Sequence, residues 1–213
     1  MATQQVTISA HPTSYDSEHY SRYSINSSHP LSDAYSDSDS TTYAQINLTR
    51  GSAAETYYYF KFDLSSIPDG ATIKSITAKG KGYINATSTT IINKRQMQMA
   101  TGTTLKGTAI TLTNTASEQT FTDIGSWTLS ELKNATIRFY AKRTTNSSYY
   151  NTNYYLRVYG ATITVTYEID VPDMPMRVKQ NGTWVTPSKV LVKQNGAWAE
   201  ATKILAKDNG TWK

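Results

Sequence analysis

Residues Tyr57–Ile84 read YYYFKFDLSSIPDGATIKSITAKGKGYI. This is a strand, a turn and a second strand. From Tyr57 to Leu64 the side chains alternate: Tyr58, Phe60 and Phe62 fall on one side, and Tyr57, Tyr59, Lys61 and Asp63 on the other. Pro68-Asp69-Gly70 then breaks the run, because proline presets φ and glycine admits a positive φ. Ile73–Ile84 resumes an extended pattern. Gly80 and Gly82 within it have no β-carbon and permit a bulge or a close approach of another chain segment.

The same grammar recurs on either side. Tyr43–Leu48, Ile91–Met99, Ala109–Thr113, Thr136–Lys142 and Ala161–Glu168 read as strands, with Tyr154–Tyr159 as a further one. Only Ser126–Asn134 (SWTLSELKN) reads as helix, capped by Ser126 or Thr128 with Glu131 in its first turn. Short, regularly spaced strands indicate an all-β sandwich or barrel, and the count suits a two-sheet jelly roll. The opening of the chain is rich in Ser, Tyr, His and Asp, with Val6 and Ile8 as its one apolar alternation. One short strand followed by a polar arm is expected there, since Pro12 and Pro30 oppose regular structure.

Phe60–Tyr83 resembles the opening of jelly-roll modules of bacterial surface proteins, in which a strand, a Pro-Gly turn and an Ile-patterned strand follow one another. Some of those modules bind carbohydrate. The resemblance extends over roughly Tyr43–Tyr167. It implies a fold and carries no catalytic residue with it.

Composition supports a β-protein with polar outer faces. There are 16 tyrosines against 4 phenylalanines, and Ser with Thr supplies 55 residues of 213. The absence of cysteine excludes disulfides and thiolate chemistry. No apolar run approaches the roughly 20 residues that cross a bilayer as a helix. Met1–Ile8 lacks a basic and then apolar leader, so synthesis and retention in the cytoplasm are expected. The net charge of +5 is unevenly placed: up to Asp173, 14 Lys/Arg balance 14 Asp/Glu, whereas Met174–Lys213 holds 7 Lys/Arg and 2 Asp/Glu. These basic residues are spaced rather than clustered, which argues against a nucleic-acid partner.

Their spacing follows a repeat. Arg177–Trp184 (RVKQNGTW), Leu191–Trp198 (LVKQNGAW) and Leu205–Trp212 (LAKDNGTW) recur every 14 residues. Asn181-Gly182, Asn195-Gly196 and Asn209-Gly210 each suit a type I′ turn, whose central residues both take positive φ. Three hairpins with strands of about five residues are expected, carrying Trp184, Trp198 and Trp212. Such hairpins are marginal alone, and the incomplete last one offers an open edge for pairing. Two units follow: a jelly-roll-like body over 1–170 with its N-terminal arm, and a repeat unit over 174–213, joined at Val171–Pro175.

The repeats resemble C-terminal VKxNGxW-type repeats of structural proteins of tailed bacteriophages, in tail, collar and head-decoration proteins. The resemblance implies a virion protein made in the host cytoplasm, partnered by other virion proteins and by copies of itself. Choline-binding wall modules also use tandem Trp and Gly hairpins, but their repeats are longer and bring a second aromatic that this repeat lacks.

The remaining candidates are few. His11, His19 and His29 match no ligand spacing and read as solvated loop histidines. Asp33, Asp37 and Asp39 form an acidic stretch without the glycine or closing glutamate of a calcium loop. Tyr57–Tyr59 reads as strand packing. Tyr149, Tyr150, Tyr154 and Tyr155, in an Asn/Ser-rich stretch, read as a contact loop. No nucleophile, metalloprotease, P-loop or dinucleotide motif is present. A non-enzymatic structural protein is therefore expected, with no cofactor, no metal, no nucleic acid and no membrane. The alternative is a host-facing carbohydrate-binding adhesin or a bacterial cell-wall-binding module, with a surface glycan as partner.

Overall fold

A computed structural model describes residues 2–21, 23–36, 42–48, 53–86, 91–144, 153–171, 178–180, 183–185, 190–194, 197–200, 207–208 and 211–212. Among these residues, eleven strands make up the larger part: β1 (Ala2–Ala10), β2 (Pro12–Ser21), β3 (Tyr23–Ile25), β4 (Ala44–Leu48), β5 (Ala54–Phe62), β6 (Thr72–Ile84), β7 (Ile92–Thr101), β8 (Thr104–Thr111), β9 (Ser117–Thr120), β10 (Ala135–Arg143) and β11 (Tyr154–Val171). Two five-residue helices interrupt them, α1 (Ser32–Ser36) and α2 (Leu129–Lys133).

The strands form two antiparallel sheets packed as a sandwich. The first has the order β3-β4-β11-β6-β9, with β1 also pairing β11; the second has the order β2-β5-β10-β7-β8. Strands β4 to β11 thus split into β4-β11-β6-β9 and β5-β10-β7-β8, the winding of a jelly roll.

The inner faces supply the core. Tyr58, Phe60, Met97, Met99, Ile137 and Phe139 of the second sheet meet Ile46, Leu48, Ile84, Leu156, Val158 and Ile163 of the first, all of them buried. Gly82 makes room for this: a β-carbon there would lie 2.7 Å from Phe139 Cε1 and 2.9 Å from Leu112 Cδ2. The close approach expected at this glycine therefore holds, and it occurs between the sheets.

The turn after β5 is anchored through Phe62, Leu64 and Ile67, all buried. The Ala71 N–H donates to Pro68 O at 3.2 Å, and Gly70 takes φ +85°, a value that costs a side-chain-bearing residue strain. Helix α2 begins as its sequence specifies. The Glu131 N–H donates to Thr128 Oγ1 at 3.2 Å, and the Thr128 N–H donates to Glu131 Oε2 at 2.8 Å, a reciprocal capping box.

Three expectations need correction. The N-terminal segment is not an arm. Val6, Ile8 and Ala10 of β1 pack on the core, while Thr7 and Ser9 reach Thr166 and Thr164 of β11 at 3.0 and 2.9 Å. Strand β2 pairs β5 from Pro12↔Phe62 to Ser21↔Ala54 at the sheet edge. Edge strands are polar because one side is solvated, and proline is tolerated as a first residue, so neither feature opposed a strand here. Second, Tyr154–Tyr159 and Ala161–Glu168 are one strand. The pairing of β11 with β6 slips between Val158 and Gly160, and this bulge resets the alternation that made one strand read as two. Third, Ser126–Asn134 is not the one helical stretch: Ser32–Ser36, expected as part of a polar arm, forms α1, and Ser117–Thr120, for which no strand was expected, is a strand although it contains no apolar residue.

The chain divides into two compact units, Thr3–Asp170, and Met1–Ala2 with Val171–Lys213. The second holds three hairpins: β12 (Val178–Gln180) with β13 (Thr183–Val185), β14 (Leu191–Gln194) with β15 (Ala197–Glu200), and β16 (Lys207–Asp208) with β17 (Thr211–Trp212). Pairs Gln180↔Thr183, Gln194↔Ala197 and Asp208↔Thr211 each enclose one Asn-Gly dipeptide. Their described strands run from two to four residues.

Candidate functional site

Three surfaces carry unusual side chains. The first lies on the outer face of the first sheet. In β4, Ala44, Ile46 and Leu48 point inward, so Gln45 and Asn47 point out. Cross-strand register places Asn47 between Ser24 of β3 and Tyr155 of β11, and Gln45 opposite Arg157, which in turn faces Tyr83 of β6. Arg157 is held by aromatic faces, its guanidinium carbon 4.3 Å from the Tyr43 ring centre and 4.6 Å from that of Tyr155. Its Nε donates to Gln45 Oε1 at 2.8 Å. Gln45 Nε2 donates to Asn47 Oδ1 at 2.9 Å, and Asn47 Nδ2 donates to Ser24 Oγ at 3.2 Å. Beside this chain of bonds lies a cavity of about 320 Å³, lined by Ser24, Gln45, Asn47, Asn153 and Tyr155.

The second surface lies on the outer face of the second sheet. Tyr57 and Tyr140, direct partners across β5 and β10, stack at 4.5 Å and 3°. The Arg138 guanidinium sits over both rings, at 5.5 and 5.3 Å. Glu55 gathers three donors: the Tyr57 hydroxyl, the Tyr140 hydroxyl at 2.9 Å and Lys142 Nζ at 2.9 Å. Burial works against the charge on Glu55, but these bonds outweigh it and hold its carboxyl below the usual range. Burial, and then the bond to Glu55, pushes the Tyr57 hydroxyl up to about 12 and raises that of Tyr140 as well. The carboxylate is thus tied into a fixed hydrogen-bonded cluster. A cavity of about 340 Å³ beside it is lined by Glu18, Glu55, Tyr57, Tyr59, Thr103 and Arg138.

The third surface is on the hairpins. Register sets Lys179 opposite Trp184, Lys193 opposite Trp198, and Lys207 opposite Trp212. In the middle hairpin, Leu191 lies two residues from Lys193 and so shares the Trp198 face. Leu191 is 49% exposed and Trp198 is 68% exposed.

The sequence candidates distribute unevenly over these surfaces. Tyr155 lines the first cavity. Tyr154 is its inward neighbour, 8% exposed, with the Arg143 guanidinium 5.4 Å from its ring, so it is a core residue rather than a contact. Tyr149 and Tyr150 lie outside the described residues, as do Asn181, Gly182, Asn195, Gly196, Asn209 and Gly210 and the side chains of Trp184 and Trp212. His19 is no loop histidine. It sits in β2, its ring stacked 4.0 Å from Tyr23 and its Nδ1 2.7 Å from Thr56 Oγ1. His29 stacks on Tyr43 at 4.1 Å and lies 3.8 Å from Asp33 Oδ2. Asp37 and Asp39 lie outside the described residues.

Among the described residues no three His, Cys, Asp or Glu side chains converge as a metal site, and no helix is long and apolar enough to cross a membrane. The sequence reading missed the Gln45–Asn47 face. Its signal was present in YAQINL, where two amides alternate with apolar residues. The chain matches no known family and no curated protein.

Proposed function

We propose that this chain is a non-enzymatic structural component of a tailed-bacteriophage virion, a tail, collar or head-decoration protein, attached or oligomerised through its C-terminal hairpins. The observation that carries the reading is the exposed pair Leu191 and Trp198 on one face of the β14–β15 hairpin. A hairpin of eight strand residues cannot bury a tryptophan within itself. Burying such a ring against a partner contributes about 2–4 kcal/mol, and the apolar stem of the facing lysine extends the same surface. Because the Lys–Trp pairing recurs in all three hairpins, weak contacts add by avidity. The partners on this reading are other virion proteins and copies of the chain. It is made in the host cytoplasm and leaves with the particle, without a cofactor, nucleic acid or membrane.

The test is Trp198→Ala in the assembling particle. Incorporation of the variant, and its oligomeric state by light scattering, should both fall. Unchanged incorporation together with an unchanged oligomeric state rejects the attachment role.

A further inference from the structure

We infer that the cavity bounded by Ser24, Gln45, Asn47, Asn153 and Tyr155 is a binding subsite for the hydroxyl groups of a neutral sugar. The inference rests on the body of the protein and is independent of how the hairpins attach.

The direction of the hydrogen bonds carries the argument. A guanidinium donates and has no acceptor. Arg157 therefore forces the Gln45 oxygen towards itself, at 2.8 Å. The Gln45 amide nitrogen must then donate onward to Asn47 Oδ1, and the Asn47 nitrogen to Ser24 Oγ. Arg157 is itself held between Tyr43 and Tyr155, so the whole relay is oriented before any ligand arrives. Having accepted from Asn47, the Ser24 hydroxyl can donate its own proton. Each amide nitrogen carries a second N–H, and each amide oxygen a second lone pair. The wall thus presents donors and acceptors side by side in fixed positions, the pattern that adjacent sugar hydroxyls match.

Three further features select the ligand. None of the five lining residues carries a formal charge, and the Arg157 guanidinium behind them is engaged by Gln45 and by the rings of Tyr43 and Tyr155, so the wall itself offers a charged ligand no counter-charge. Tyr155 adds an aromatic wall suited to the C–H groups of a pyranose. The volume of about 320 Å³ falls at the lower end of small-ligand sites, about 300–1,000 Å³, which suits one sugar unit. Gln45 is a side chain only 8% exposed, so its polarity is held in place by the fold rather than by solvent. The cavity beside Tyr57 differs on each count: it is bordered by Glu18, Glu55 and Arg138, and Glu55 is occupied by three donors.

The full chain, labelled with nitrogen-15, is titrated separately with the methyl glycosides of glucose, galactose, rhamnose and N-acetylglucosamine, and with N-acetylneuraminic acid as a charged control. At least one neutral glycoside should bind with a Kd of about 1–10 mM, as expected for a ligand of that size, and shift the amides of Ser24, Asn47 and Tyr155. Asn47→Ala should weaken it about tenfold, since it leaves a sugar hydroxyl unpaired. Ser24→Ala and Asn153→Ala alter exposed positions and should weaken binding with an unchanged thermal midpoint, which covers the case in which Asn47→Ala fails to fold. Four outcomes overturn the inference: no neutral glycoside binds; the shifts cluster at Tyr57, Tyr59 and Glu18 instead; N-acetylneuraminic acid binds as well as the neutral sugars; or binding survives in every folded variant. Particle incorporation does not enter this test, so its failure is separate from failure of the attachment role.

Discussion

Gly82 on β6 and Phe139 on β10 meet across the sandwich so closely that a β-carbon on the glycine would stand 2.7 Å from the phenylalanine ring. Phe139 is fully buried and sits edge-on to Phe60, with ring centres 5.7 Å apart. It has nowhere to retreat. Gly82→Ala should therefore destabilise the body by about 1–3 kcal/mol through overpacking. A urea titration that shows a lower midpoint at unchanged slope supports this; an unchanged midpoint rejects it.

The cap of α2 makes a separate prediction. Thr128→Ala removes the acceptor for the Glu131 N–H and should cost about 1 kcal/mol. The bonds from Lys106 and from the Thr128 N–H hold the Glu131 carboxyl down to about 2. Its folded value is thus depressed, so its stabilising contribution is complete above the ordinary value of 4.5 and is lost as pH falls towards about 2. Part of the acid-induced loss of stability in wild type should disappear in Glu131→Gln. Identical acid profiles for the two proteins would refute the assignment.

His19 gives a second pH signature at higher pH. Burial lowers its pKa from the ordinary 6.5, and nothing among the described residues pairs with its Nε2. A depressed histidine favours the neutral form in the folded chain. Its contribution is complete above 6.5 and is lost as pH falls through the lower folded value, because the unfolded chain takes up the proton first. An NMR titration of the ring should show a midpoint below 6.5. A midpoint at or above that value would falsify the burial argument.

Tyr140→Phe removes one of the three donors of Glu55 and leaves the ring stack with Tyr57 in place. A bond to a charged acceptor contributes about 1.5–3 kcal/mol when shielded, and the part-exposed setting brings the expected loss to about 1 kcal/mol. The Glu55 carboxyl, followed by carbon-13 NMR, should titrate at a higher pH in the variant. No change in either measurement would mean that Tyr57 and Lys142 suffice.

Much of the architecture was legible in local pattern. Alternation in Tyr57–Leu64 marks which side of β5 is buried, because successive side chains of a strand point to opposite faces. The spacing of Thr128 and Glu131 marks a helix start, since both groups of the capping box lie within one turn. The fourteen-residue spacing of Asn-Gly marks three hairpins, because their register is set by the turn itself. What these share is that cause and effect lie within a few residues of each other.

Long-range pairing decided the rest. Strand β2 is ordered by β5, and its own polar sequence records only that it lies at an edge. The bulge at Gly160 hid the continuity of β11 behind a reset alternation. The Ser24–Asn47–Tyr155 row and the Gln45–Arg157–Tyr83 row exist because β3, β4, β11 and β6 pair in one register. Sequence determined that Gln45 and Asn47 would face outward, since the apolar positions between them had to face the core. Only the tertiary structure decided what they would face there. Strand partners are chosen by the burial and backbone pairing of whole sheets, and those energies have no counterpart in the spacing of residues along the chain.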